Sequence, residues 1–103
     1  MKDVFICGAA RTPIGGFQGN FDGIPAAELG GCAIKAAMKE AGINTVDEVI
    51  MGNVLPAGQG QAPGRQAGFA AGLGDSVPAT TLNKMCGSGM KTAMFGFDQL
   101  ASG

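Results

Sequence analysis

The apolar run VFICGAA, Val4 to Ala10, is short and unbroken by polar residues, a pattern that predicts a strand buried on both faces. The segment after it, RTPIGGFQGNFDG, is too rich in glycine for regular structure and reads as a loop. From Pro25 the period becomes helical. Ala27, Gly31, Ile34, Met38 and Ala41 share one face, while Glu28, Lys35 and Lys39 take another. Pro25 suits the first turn and Gly42 the stop, so a helix lying on a sheet is expected between them.

A second strand is expected from Glu48 to Leu55, centred on VIMGNV. The loop PAGQGQAPG leads to a short helix from Pro63 or Gly64 to about Leu73. The third strand is placed at Pro78 to Lys84, where Thr80, Thr81 and Leu82 suit a pleat. A last helix starts near Gly87 and runs to the end of the chain. The order β-α-β-α-β-α predicts an α/β fold with parallel strands joined by right-handed crossovers.

The last helix is apolar over most of its circumference. Met90, Ala93, Met94, Phe97, Leu100 and Ala101 form one broad face, and Phe95 and Gly96 extend it. Only Lys91, Asp98 and Gln99 are strongly polar. Such a helix belongs in a core with cover on several sides, more than three strands and two helices supply, which points to further sequence. The alternative is a helix with a wide apolar face in a small domain.

Composition narrows the function classes. Seven Lys and Arg against eight Asp and Glu leave a net charge of −1, which gives no support for binding nucleic acid or a membrane surface. The 19 glycines stand out against an average usage of about 7% and imply tight turns and close backbone approaches. Histidine is absent, which removes the commonest metal ligand and general base. Cys7, Cys32 and Cys86 are too irregularly spaced for a disulfide framework or a zinc site, so no metal is expected. No run approaches the ~18 apolar residues of a membrane span. The chain reads as cytoplasmic, with free thiols.

Chemistry concentrates in NKMCGSGMKTA, Asn83 to Ala93, where Cys86 precedes Gly-Ser-Gly at the change from strand to helix. A cysteine attacks as thiolate, and the unpaired N–H groups and dipole of a helix N-terminus favour that anion. Gly87 and Gly89 keep side chains away, so a substrate can reach both the sulfur and the backbone. The same N–H groups can bind an oxyanion. By position alone a packing cysteine fits Cys86 equally well. Cys7, in an apolar strand, and Cys32, in a helix of small residues, read as packing cysteines.

Other glycine-rich motifs fail on spacing. GSGMKT has Met90 where a phosphate-binding loop needs glycine before the lysine. The loop from Gly58 to Gly64 misses the dinucleotide fingerprint by one residue and contains proline. Cys-Gly-Ser-Gly-Met lacks the flanking glycines of a serine-hydrolase elbow.

Several segments together resemble the thiolase family. NKMCGSGM from Asn83 is similar to the thiolase signature around the acyl-accepting cysteine. RTPIGGFQG from Arg11, PAAELG from Pro25, MGNVL from Met51 and GQGQAPGRQA from Gly58 follow in family order. The likeness covers residues 3–103.

The resemblance implies acyl transfer between coenzyme A thioesters, with acetyl-CoA or another acyl-CoA as partner molecule and no cofactor. Its short-chain form, acetyl-CoA acetyltransferase, condenses two acetyl-CoA to acetoacetyl-CoA or cleaves a 3-ketoacyl-CoA. Both directions pass through a cysteine thioester. On this sequence Cys86 becomes the nucleophile, with its own N–H as oxyanion donor, and Gly87 and Gly89 leave space for the thioester. The implied fold is a layered αβαβα arrangement of two similar halves, with the cysteine helix between them. Residues 1–103 correspond to part of the N-terminal half, stopping where a fourth strand is expected. The parent is expected to be a homo-oligomer, a dimer or a tetramer.

Thiolases also need a histidine base, a second cysteine and a loop domain that grips coenzyme A, all supplied by other parts of a longer chain. None is in this sequence, and Cys7 and Cys32 lie in the wrong elements to replace the second cysteine. These residues alone are therefore expected to be inactive. The alternatives are a non-catalytic subunit that assembles with a chain carrying the histidine and second cysteine, and a redox-sensing thiol domain built on Cys86.

Overall fold

The computed structural model describes residues 2–103. Its elements follow in the order α1 (Ala26–Ala41), β1 (Val49–Gly52), α2 (Pro63–Ala70), β2 (Ala79–Leu82) and α3 (Ser88–Ser102). The strands β1 and β2 pair in parallel, with Val49 opposite Ala79 and Gly52 opposite Leu82. The α/β class, the parallel pairing and the three helices agree with expectation.

Local chemistry accounts for the helix ends. Pro25 stands in extended conformation just before α1, Glu28 lies in the first turn and Lys39 in the last, matching the helix dipole. Gly42 then adopts φ 72°, where its N–H reaches the Lys39 carbonyl and the Ile43 N–H reaches that of Met38. This reversal needs a left-handed residue, and glycine takes it without strain. The turn after α2 repeats it: Gly72 has φ 90°, and the Leu73 N–H returns to the Gly68 carbonyl. It carries Leu73 down into the core.

Alternation along β1 sorts the layers, since successive side chains leave opposite faces. Val49 and Met51 face α1 and α2: Val49 approaches Gly68, and Met51 approaches Gly30 and Gly64. Ile50 and Gly52 face α3, Gly52 against Ser88 and Ile50 beside Gly96 and Leu100. The sheet is thus a middle layer between the α1–α2 pair and α3. Helix α1 packs on α2 through Gly31, where an added Cβ would come within 2.5 Å of the Ala70 Cβ.

The core sits on the α1–α2 side. Val49, Leu73 and Val77 are buried there, with Ile34, Met38, Val46, Met51 and Ala79 packed around them. On the other side α3 meets β1 along one edge only. Met90 is 72% exposed, and Met94, Phe97 and Leu100 are exposed as well. The cover that the apolar pattern of α3 calls for is not supplied by the described residues.

The expected first strand is not formed. Residues 4–10 have no regular structure, and Phe5 and Ile6 are 76% and 90% exposed. Gly8 instead lies against the α1 backbone at Ala37 and Ala41, and the Ala9 N–H donates to the Glu40 carboxylate at 3.2 Å. A strand is held by its neighbour's ladder rather than by its own residues, and this segment pairs with neither β1 nor β2.

Candidate functional site

The site grows out of the turn between β2 and α3. After Leu82 the Asn83 side chain takes over from the ladder. Its Oδ1 accepts the Met85 N–H at 2.9 Å, and its Nδ2 donates to the Val54 carbonyl at 3.3 Å, tying the turn to the segment after β1. Inside this closure Met85 adopts φ 50°. A left-handed conformation costs a non-glycine residue about 1 kcal/mol, so the surrounding bonds must hold it.

Ser88, the first residue of α3, supplies two of them. Its Oγ accepts the Lys84 N–H at 2.9 Å and donates to the Met85 carbonyl at 2.6 Å. The Ser88 and Gly87 N–H groups also return to the Met85 and Lys84 carbonyls, both at 3.1 Å. Ser88 is only 6% exposed, although Lys84, Met85 and Cys86 before it in the turn are exposed.

Cys86 lies at the apex, exposed and with a free thiol. Among the described residues its N–H is bonded to no backbone carbonyl, and neither is that of Gly89. The turn therefore presents a sulfur and unengaged N–H groups together at the mouth of a 15-residue helix. That combination can add a thiolate to a carbonyl and receive the charge that forms on oxygen.

The two glycines differ. Beside Gly89 nothing lies within 4 Å of where a Cβ would stand, so its face of α3 is open. At Gly87 a Cβ would be 3.6 Å from the Lys84 carbonyl oxygen, an ordinary contact, and φ is −93°. Neither position requires glycine for its backbone.

Cys7 and Cys32 are not packed as expected. Both thiols are free and exposed, Cys7 because its segment is not in a sheet and Cys32 because it lies off the α1 face that meets α2. Among the described residues no group of three His, Cys, Asp or Glu is placed to hold a metal ion. Among the described residues no helix is long and apolar enough to cross a membrane. A cleft of about 230 Å³ between the starts of α1 and α2 is lined by Ala27, Asn53, Gln59 and Gly64 among others, with no titratable side chain.

Sequence reasoning missed Asn83, Ser88 and Gly52 as parts of this site. Asparagine two residues ahead of Met85 is a recognisable turn signal. Neither the burial of Ser88 nor the contact between Gly52 and α3 has a local signal, because both depend on how β1 and α3 pack.

Residues 4–103 match the model of the thiolase N-terminal domain. The chain belongs to the thiolase family. It is 56% identical over 105 aligned positions to the mitochondrial acetyl-CoA acetyltransferase of Xenopus tropicalis, covering 100% of this chain and 25% of that protein. It is 50% identical to the acetyl-CoA acetyltransferase of Pseudomonas aeruginosa, covering 100% of this chain and 27% of that one. The crystal structure of Acat5 thiolase from Ascaris suum in complex with coenzyme A superposes with a TM-score of 0.95 at 38% identity, over 99% of this chain and 27% of the other. The chain thus spans about a quarter of the length of the relatives it matches, and its fold is that of a thiolase.

One expectation is corrected by these relatives. The cytoplasmic placement does not stand, because several of them, that of Xenopus tropicalis included, are mitochondrial proteins. Compartment is set by targeting segments rather than by the composition of a folded region, so charge balance and free thiols did not carry that reading.

Proposed function

We propose that this chain contributes the acyl-accepting cysteine of an acetyl-CoA acetyltransferase. The observation that carries the reading is Cys86, exposed at the start of α3 with its N–H bonded to no backbone carbonyl among the described residues, inside a chain similar throughout to enzymes of that name. The Ascaris suum thiolase is a complex with coenzyme A, which supports coenzyme A thioesters as the substrates.

The chemistry assigned to these residues is limited and specific. The Cys86 thiolate attacks the thioester carbonyl of acetyl-CoA, and the Cys86 N–H donates to the oxyanion of the tetrahedral adduct. Collapse expels coenzyme A as its thiolate, which takes up a proton, and leaves an acetyl thioester on Cys86. In the condensing direction a second acetyl-CoA, deprotonated at its methyl carbon, attacks that thioester. Acetoacetyl-CoA forms and Cys86 leaves as thiolate. Thiolysis is the reverse. The open space beside Gly89 is proposed to admit the acyl group, and Gly87, which carries no side chain, to leave room for the thioester at the sulfur.

Proton transfer needs a base, and the sequence holds no histidine. The acid and base groups are therefore proposed to come from outside residues 1–103, which form part of the N-terminal half of the catalytic unit. The parent is proposed to be a homo-oligomer. The open apolar face of α3 also fits the alternative, a non-catalytic subunit joined to a chain that carries the base. The nucleotide sequence downstream of codon 103 separates the two.

Two measurements test the reading. The 103-residue chain alone is expected to show no cleavage of acetoacetyl-CoA by coenzyme A. In the intact protein Cys86→Ala is expected to remove at least about 10³-fold of that activity, since the covalent route is lost. Retained activity in Cys86→Ala overturns the assignment.

A further inference from the structure

We propose that Ser88 is a positioning residue that aims and strengthens the Cys86 N–H as an oxyanion donor. The inference rests on the reading of Cys86 as acyl acceptor. It starts from a fact about peptide geometry: the carbonyl of Met85 and the N–H of Cys86 belong to one planar trans peptide and point in opposite directions. Whatever holds the carbonyl therefore aims the N–H.

Ser88 holds that carbonyl twice. Its hydroxyl donates to the Met85 oxygen at 2.6 Å, and its N–H donates to the same oxygen at 3.1 Å. The hydroxyl oxygen in turn accepts the Lys84 N–H at 2.9 Å, so rotation of the side chain would break both bonds at once. Ser88 is itself immobilised, buried where α3 meets Gly52. The peptide plane is thus anchored at its inner end by a buried hydroxyl, and its outer end is the N–H of Cys86.

The second effect is electronic. Hydrogen bonds to an amide oxygen draw charge through the peptide and make its N–H a stronger donor, as in cooperative hydrogen-bond chains. Developing charge on the substrate oxygen is then met by a donor that is both aimed and polarised. Sulfur substitution at a saturated carbon generates no oxyanion and gains nothing from it.

This difference supplies the test. In the intact protein, Ser88→Ala is compared with the unaltered protein by two rates: kcat for acetoacetyl-CoA thiolysis, and the rate of iodoacetamide alkylation at Cys86, followed by mass spectrometry on the peptide that contains it. We expect kcat to fall about tenfold or more, KM to stay within about twofold, and the alkylation rate to stay within about twofold. Should Ser88→Ala fail to fold, Ser88→Gly, which also relieves the contact with Gly52, carries the same readings. Unchanged kcat overturns the inference, and so does a parallel fall of both rates, which shows the sulfur itself displaced. Cys86→Ala in the same series keeps the two proposals apart: if it remains active the parent reading fails, whatever Ser88 does.

Discussion

Gly52 and Ser88 meet backbone to backbone where the end of β1 rests against the start of α3. A Cβ built on Gly52 lies 2.7 Å from the Ser88 Cβ, 2.8 Å from its carbonyl carbon and 2.9 Å from the Gly89 nitrogen. Two of these three atoms are main chain and cannot swing aside. The end of β1 is therefore glycine because the helix that carries the cysteine turn rests on it.

Gly52→Ala should push the start of α3 away from β1. The expected cost is about 1–3 kcal/mol of folding stability, the range for overpacking a tight contact. Urea unfolding followed by circular dichroism reads it. The same variant should lose thiolase activity in the intact protein by more than the stability change alone explains, because the Ser88 bonds move with the helix. A variant as stable as its parent shows that the contact relaxes freely.

Gly89→Ala should separate stability from function in the opposite sense. The space beside Gly89 is empty, and alanine favours helix over glycine by up to about 1 kcal/mol. Folding stability is expected to hold or rise. If this space admits the acyl group, thiolysis of acetoacetyl-CoA should slow, with the larger part of the effect in KM. Unaltered kinetics place the acyl group elsewhere.

Arg65 should matter for the fold and not for the chemistry. Its guanidinium donates to the Asp75 carbonyl at 2.8 Å and the Val77 carbonyl at 3.2 Å, and lies 4.9 Å from the centre of the Phe69 ring. This fork fastens the loop before β2 to α2. Arg65→Ala is expected to cost about 1–2 kcal/mol, and Arg65→Lys to recover less than half, since an ammonium cannot bridge two carbonyls in a plane. Thermal melting of the three proteins checks the order.

The legible parts of the fold were those written in local pattern. The face Ala27–Gly31–Ile34–Met38 and the stop at Gly42 located α1, and the proline before Gly64 located the start of α2. The short apolar segments around Met51 and Thr81 located the two strands, each of four residues and about half as long as expected. VFICGAA has the same local pattern, yet it forms no strand, because pairing depends on a neighbour that sequence period does not report. Cys32 was misread against the apolar face of α1: it lies beside that face, not on it, while Gly31 of the face meets Ala70.

The site divides the same way. Cys86 before Gly-Ser-Gly was visible in the sequence, as was the helix start behind it. The left-handed Met85 was not, since methionine gives no sign of it. Ser88 looked like one more small residue at a helix entrance. Its importance appears only once its hydroxyl is seen between Lys84 and Met85.

The central claim is that a short acyl group is carried covalently at the opening of α3. It is tested most directly by mixing the intact protein with acetyl-CoA, quenching in acid during turnover and sequencing the peptides by mass spectrometry. The account predicts an acetyl group on the peptide that contains Cys86, lost on treatment with hydroxylamine as a thioester must be. An acetyl group found only on Cys7, Cys32 or a residue outside this chain would contradict it.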